Sequence, residues 1–158
     1  MLFPSFHKQL QTLHIGAKKP ASYFIPFSSV EDALTGDREK SDRFTSLCGD
    51  WKICPFDSFE EIDRLFFSCG FPVAGLDTVT VPGNIQIYDR CKYDKPLYSN
   101  LMYPFPTDPP HVPDRNPAWA LLKDFDLSES ESAETHEIIF EGVASCFYLW
   151  INGHFVGY

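Results

Sequence analysis

Positive charge is scarce in this sequence: 13 Lys and Arg stand against 22 Asp and Glu, a net charge of −9 over 158 residues. Phosphate binding needs a basic stripe, and the small clusters Lys18-Lys19 and Arg38 with Lys40 sit among acidic or apolar neighbours. They read as solvated surface, and no nucleic-acid partner is expected. Long apolar runs are missing too, none approaching the roughly 20 residues of a membrane span. Met1-Leu2-Phe3-Pro4-Ser5 lacks the basic start and apolar stretch of a signal peptide. The expectations are a cytoplasmic location and no membrane partner. The five cysteines (Cys48, Cys54, Cys69, Cys91, Cys146) are odd in number, irregularly spaced and without C-x-x-C. Neither a disulfide framework nor a zinc knuckle follows from them.

Catalytic patterns are equally absent. There is no G-x-S-x-G elbow, no glycine-rich phosphate loop, no H-E-x-x-H and no Cys beside a His. His7, His14, His111, His136 and His154 are dispersed and read as surface or turn residues. The acidic run Asp124, Asp126, Glu129, Glu131, Glu134, Glu137 and Glu141 lacks the spacing of a calcium loop and reads as a solvated edge. No residue is assigned a catalytic role.

What is present is aromatic and proline-rich: 15 Phe and 13 Pro favour a loop-rich β architecture over a helical bundle. Near the carboxyl end, two apolar runs, 145–151 and 154–158, flank Asn152-Gly153, the strongest short-range signal for a two-residue type I′ hairpin. Both faces of the first run are apolar, Phe147, Leu149 and Ile151 against Cys146, Tyr148 and Trp150, which predicts a central strand covered on both sides. The last strand stops with the chain, and a bare apolar edge is avoided in natural folds, so a piece of something longer is expected.

Upstream, Asp32 to Lys40 reads as exposed loop and Phe44 to Pro55 as two strands broken at Gly49-Asp50. Ser58 with Glu61 forms a capping box, and Ile62, Leu65 and Phe66 share one face, predicting a single helix over roughly 58–68. Further strands are predicted at Thr78 to Val81, Trp119 to Leu127 and His136 to Phe140, with an acidic turn at Ser128 to Thr135. Seven prolines fall between 96 and 117, too many for a helix or a central strand. Tyr98, Met102, Tyr103, Phe105, Val112 and Trp119 are interleaved with them, so this is read as a long ordered loop fastened to a surface, the kind of loop that is usually functional. Seven or eight short strands with regular turn signals predict an all-β, two-sheet antiparallel sandwich. Residues 1–40 read as an extended arm and loop, and 41–158 as the sandwich, incomplete at its carboxyl end.

Several blocks resemble the amino-terminal sugar-binding domain of the large bacterial β-galactosidases of glycoside hydrolase family 2. They are Val81-Pro82-Gly83-Asn84-Ile85-Gln86, Tyr98-Ser99-Asn100-Leu101-Met102-Tyr103-Pro104-Phe105, Pro109-Pro110-His111-Val112-Pro113-Asp114-Arg115-Asn116-Pro117, Phe140-Glu141-Gly142-Val143, and Leu149 through Tyr158. Leu13-His14-Ile15-Gly16, Tyr23-Phe24-Ile25-Pro26-Phe27 and Leu47-Cys48-Gly49-Asp50-Trp51-Lys52 look like earlier blocks of the same domain. The resemblance implies a jelly-roll-like sandwich. It also implies retaining hydrolysis of terminal β-D-galactose residues, as in lactose, by two glutamates of a barrel that this chain does not reach. One position carries over: Asn100, whose amide in the family contacts galactosyl hydroxyls. An amide suits that task because it offers donors and an acceptor without charge.

The resemblance further implies partnership with the remaining β-galactosidase chain, a homo-oligomer when complete, and magnesium and sodium in the complete enzyme, with no cofactor held by this piece. Alone, the piece is expected to be inactive. A stand-alone carbohydrate-binding module is the alternative, and a β-glucuronidase is disfavoured because the Asn-x-x-Tyr-Pro and Pro-Pro-x-Val-Pro blocks belong to the galactosidase branch. The chain departs from the family at Trp119 and Leu121, where Asn-Pro-x-Gly-x-Tyr is usual, so that corner must repack around Trp119.

Overall fold

The computed structural model describes residues 4–98, 100–101, 103–128 and 134–158. Ser99, Met102 and most of the expected acidic turn, with Glu129 and Glu131, lie outside them. The class is all-β with antiparallel sheets. Strands β1 (Gly49–Phe56), β2 (Asp77–Val81) and β3 (Ala118–Leu122) form one sheet in the order β2-β1-β3. Strands β4 (Leu149–Ile151) and β5 (His154–Gly157) form a second. Among the described residues these are five strands rather than seven or eight.

The hairpin is as the sequence predicts. Ile151 pairs with His154, and Asn152 and Gly153 take φ of 50° and 80°, the two positive values a type I′ turn needs. The strand with two covered faces, however, is β1 rather than 145–151: β4 has a single paired neighbour among the described residues, and all three of its residues are half-buried. Along β1, Trp51 lies opposite Val79, and Ile53 opposite Asp77 and Leu121. On this face Ile53 and Val79 are almost fully buried, at 1% and 2% exposure. Cys54 and Phe56, on the other face, lie opposite Ala120 and Ala118 and pack on Ile62 and Phe66.

Gly49-Asp50 is therefore not a turn; it begins β1, and Trp51 belongs to the strand. A proline in a central strand would cost a ladder bond. Pro55 avoids this because β2 pairs only as far as Ile53.

The predicted helix over 58–68 is replaced by two 3₁₀ turns, Phe59–Glu61 and Arg64–Phe67. Between them Ile62 and Asp63 are extended, with ψ of 118° and 143°. Ser58 makes no cap bond and instead forms a bridge with Asn116, while Asp63 caps the second turn by accepting from the Leu65 N–H at 2.9 Å. Within the second turn two neighbouring rings reach different partners: Phe66 meets Phe56 and Phe71, and Phe67 stacks on Trp150 with centroids 4.0 Å apart. This segment is thus the layer between the two sheets.

Four other expectations are corrected. Residues 32–40 are not loop throughout: α1 (Val30–Leu34) is capped by Ser29, whose Oγ accepts from the Asp32 N–H at 3.0 Å, and Arg38–Lys40 is a 3₁₀ turn. β3 ends at Leu122 rather than Leu127, and His136 to Phe140 is not a strand. The apparently bare last strand meets the amino-terminal segment. Ile15 and Tyr158 exchange two backbone hydrogen bonds, each 2.9 Å, bringing the first and last blocks of the resemblance together.

Gly16 sits at that junction with φ of +70°, and a side chain there would run into the carbonyl of Val156. Gly16→Ala is expected to lower unfolding free energy by about 1–3 kcal/mol, since it adds left-handed strain to a backbone collision. Chemical denaturation of the two proteins checks this, and equal stability would contradict the junction.

Candidate functional site

The loop between β2 and β3 is held at its two ends, and several large side chains described between them are exposed. At its start Asn84 caps a 3₁₀ turn by accepting from the Gln86 N–H at 3.1 Å. Asp89, Arg90 and Cys91 then follow with φ of 41°, 56° and 66°, a left-handed run of non-glycine residues that reverses the chain. Lys92 and Tyr93 both donate to Asp77 at the head of β2, and Gln86 donates to Asp94 at 3.0 Å. The Lys92 ammonium, then the Tyr93 hydroxyl, hold the Asp77 carboxyl below its ordinary range, and Asp77 in turn raises the Lys92 pKa. At the far end Arg115 pairs with Asp57 at 3.2 Å and Asn116 bridges to Ser58, fastening the loop under the 3₁₀ layer.

Between these clamps, Leu97, Tyr98, Leu101 and Tyr103 are exposed at 69%, 72%, 81% and 70%. Among the described residues, Tyr98 and Tyr103 therefore do not anchor this stretch, whereas Pro110, Val112 and Pro113 nearer its end are half-buried; charged and amide groups fasten the two ends. Asn100 lies in the turn where the Leu101 N–H donates to the Tyr98 carbonyl at 3.4 Å. Its side chain is exposed and makes no hydrogen bond with a described residue. The loop's clamping residues Asp57, Asp77, Lys92 and Arg115 carried no local signal, because each pair joins positions at least 15 residues apart.

Trp119, the departure in the family pattern, pairs with Pro55 across β1 and β3. Its indole N–H is buried with no partner among the described residues. An unsatisfied buried donor of this kind costs roughly 1–3 kcal/mol.

A second cluster lies where the amino-terminal segment crosses the hairpin. Tyr148 stacks on Phe59 at 4.4 Å and on Phe6 at 5.9 Å, with Tyr158 4.8 Å away. The His7 backbone N–H donates to the Tyr148 hydroxyl at 3.2 Å, and His7 Nδ1 is 2.9 Å from the same oxygen. Burial pushes the Tyr148 pKa up to about 12, so the phenol stays protonated and can donate to a neutral imidazole. Burial likewise lowers the His7 pKa, against an upward pull from Glu60.

The unfolded chain therefore takes up the His7 proton at higher pH than the folded one. The contribution of His7 is complete above pH 6.5, its ordinary value, and is lost on acidification below it. Thermal unfolding measured from about pH 7 to pH 5 should fall more steeply for the unmodified chain than for His7→Gln. Parallel curves would contradict a buried neutral His7.

Among the described residues, no three His, Cys, Asp or Glu side chains are grouped so as to hold a metal ion, and no residue here is assigned to magnesium or sodium. No helix among them is long and apolar enough to cross a membrane. The five cysteines are all unpaired thiols.

Comparison with known proteins bears on this loop and its scaffold. Residues 44–158 match the family described as glycosyl hydrolases family 2, sugar binding domain. A β-galactosidase of Actinobacillus pleuropneumoniae is 35% identical over 158 residues, covering 100% of this chain and 15% of the relative. A β-galactosidase of Vibrio vulnificus strain YJ016 is 38% identical over 142 residues, 90% of this chain and 13% of the relative. One from Pseudoalteromonas haloplanktis is 35% identical over 150 residues, 93% of this chain and 14% of the relative. The chain thus spans 13–15% of the length of the relatives it matches. With its two antiparallel sheets and the match over residues 44–158, the chain belongs to the sugar-binding domain family of the family 2 glycosyl hydrolases.

Proposed function

We propose that this chain is the amino-terminal sugar-binding part of a β-galactosidase that hydrolyses terminal β-D-galactose residues, lactose among them, with retention of configuration. The observation that carries the reading is the family match combined with relatives named β-galactosidase, of which the chain spans only 13–15%. Its part in the reaction is recognition. The sheets and the 3₁₀ layer hold the loop by its ends, and Asn100 presents an uncharged amide to sugar hydroxyls. Buried hydrogen bonds of that type discriminate between hydroxyl patterns because a mismatched sugar leaves the amide unpaired. The exposed side chains of Leu97, Tyr98, Leu101 and Tyr103 face the remainder of the enzyme, and docking there excludes water around the sugar.

Bond cleavage falls to carboxylates elsewhere in the complete protein. Retention needs two of them about 5–5.5 Å apart, one to protonate the leaving oxygen and one to attack the anomeric carbon. Any magnesium or sodium of the complete enzyme is held there as well. The complete enzyme is cytoplasmic and oligomeric in this reading.

The test compares the purified chain with the complete protein on chromogenic β-galactoside and β-glucuronide, with calorimetric titration of galactose into the chain. The expected results are turnover of the β-galactoside by the complete protein alone and no measurable binding to the isolated chain. Turnover of the glucuronide in preference would overturn the substrate, turnover by the chain would overturn the division of labour, and tight galactose binding by the chain would favour a stand-alone binding module.

A further inference from the structure

The segment 18–43 is held to the rest of the molecule in an unusual way. It closes on itself: the Ser41 hydroxyl donates to the Pro26 carbonyl at 2.6 Å, and the Ser28 hydroxyl donates to the Asp42 carboxylate at 2.7 and 2.8 Å. α1 and the Arg38–Lys40 turn lie inside that closed loop. Of its large apolar side chains only Ile25 and Phe27 are half-buried, and none is fully buried. Phe24, Val30 and Leu34 are exposed at 77%, 76% and 82%, and Ser41 is the one fully buried residue of the segment.

The contacts that tie the segment down are ionic. Arg38 Nη1 pairs with Glu141 Oε1 at 2.7 Å, Arg43 Nη1 pairs with Glu134 Oε2 at 2.6 Å, and Lys18 pairs with Glu137. Arg38 also lies over the Phe44 ring, 5.1 Å from its centroid. All three carboxylates come from residues 134–141, part of the acidic run that lacks a calcium-loop spacing. Three basic residues far away in sequence thus converge on one short acidic stretch.

We propose that residues 18–43 are a strap fastened to residues 134–141 by this three-pair clasp, and that ionic strength sets whether it is closed. The physical case rests on what each term contributes. A single exposed pair is weak and fades with salt, whose screening length shortens from about 30 Å at 0.01 M to about 3 Å at 1 M. Because Ser28, Ser41 and Asp42 already hold the loop together, Arg38 and Arg43 are ordered once and in common, so their pairs act jointly. With little apolar burial to keep the strap in place, its closure follows the charge terms. Release lays bare Glu134, Glu137 and Glu141 and frees the strap without touching β1, β2 or β3. The clasp is independent of the activity proposed above.

Amide hydrogen exchange on the complete protein, read at about 0.02 M and about 0.5 M sodium chloride, tests it. The expected result is exchange about tenfold faster at the higher salt in 28–43 and 134–141 together, with amides of β1, β2 and β3 unchanged. Arg38→Glu should give the fast exchange at low salt, and adding Glu141→Arg should restore protection. Salt-independent exchange in both segments, or a paired charge reversal that fails to restore protection while the β1–β3 amides stay protected, overturns the clasp.

Discussion

Replacing Phe66 with alanine is expected to remove about 3–5 kcal/mol of unfolding free energy. Phe66 is 8% exposed and occupies the layer between the two sheets, with the Phe71 ring 4.7 Å away and the Phe56 ring edge-on at 6.1 Å. Cys54, Phe56, Ala118, Leu122 and Phe71 line the site with it. Four of these belong to strands fixed by the β1–β3 ladder, so the surroundings cannot collapse into the space an alanine would leave. The loss is a large share of the roughly 5–15 kcal/mol that holds a domain folded. Its neighbour Leu65 is 64% exposed, and Leu65→Ala should change stability by less than about 0.5 kcal/mol. Denaturant titration of both variants measures the contrast, and comparable losses would mean that the 3₁₀ layer does not orient the two residues as described.

The second large effect is expected in turnover rather than stability. Asn100→Ala in the complete protein should lower kcat/KM for a β-galactoside by about 10- to 100-fold, the worth of one or two lost hydrogen bonds to a buried sugar. The unfolding midpoint should stay where it is, because the exposed amide makes no bond within the described chain. Asn100→Asp should lose activity as well, since a carboxylate keeps the acceptors but gives up both donors. A variant that loses stability along with activity would assign Asn100 a part in shaping the turn at 98–101 instead.

Local chemistry made some of the fold legible from sequence. The Asn152-Gly153 turn and the β2 strand ending before Pro82-Gly83 each depend on residues within a few positions, and both stand as read. The 58–68 segment did not, because a capping pattern at Ser58 and Glu61 competed with the burial of Ile62 and Phe66, and burial won. The same Ser-x-x-acid pattern at Ser29 and Asp32 does cap a helix, but it lies among charged residues and next to Gly36, and so resembles a loop. β1 was hidden by Gly49-Asp50 and by Pro55, which only the extent of pairing with β2 and β3 reconciles with a strand.

At the candidate site, the pattern around Asn100 marked the loop. What holds the loop, Lys92 and Tyr93 on Asp77 and Arg115 on Asp57, depends on strands brought together by the fold, and no spacing rule encodes it. The ion pairs of Lys18, Arg38 and Arg43 with the acidic stretch belong to the same class.

The most direct measurement is a crystal structure of the complete protein with galactose bound. The expected result is the Asn100 amide about 2.7–3.2 Å from a galactosyl hydroxyl, with Leu97, Tyr98, Leu101 and Tyr103 covered by the remainder of the enzyme. A sugar bound with Asn100 facing solvent on a loop that touches nothing else would contradict the account.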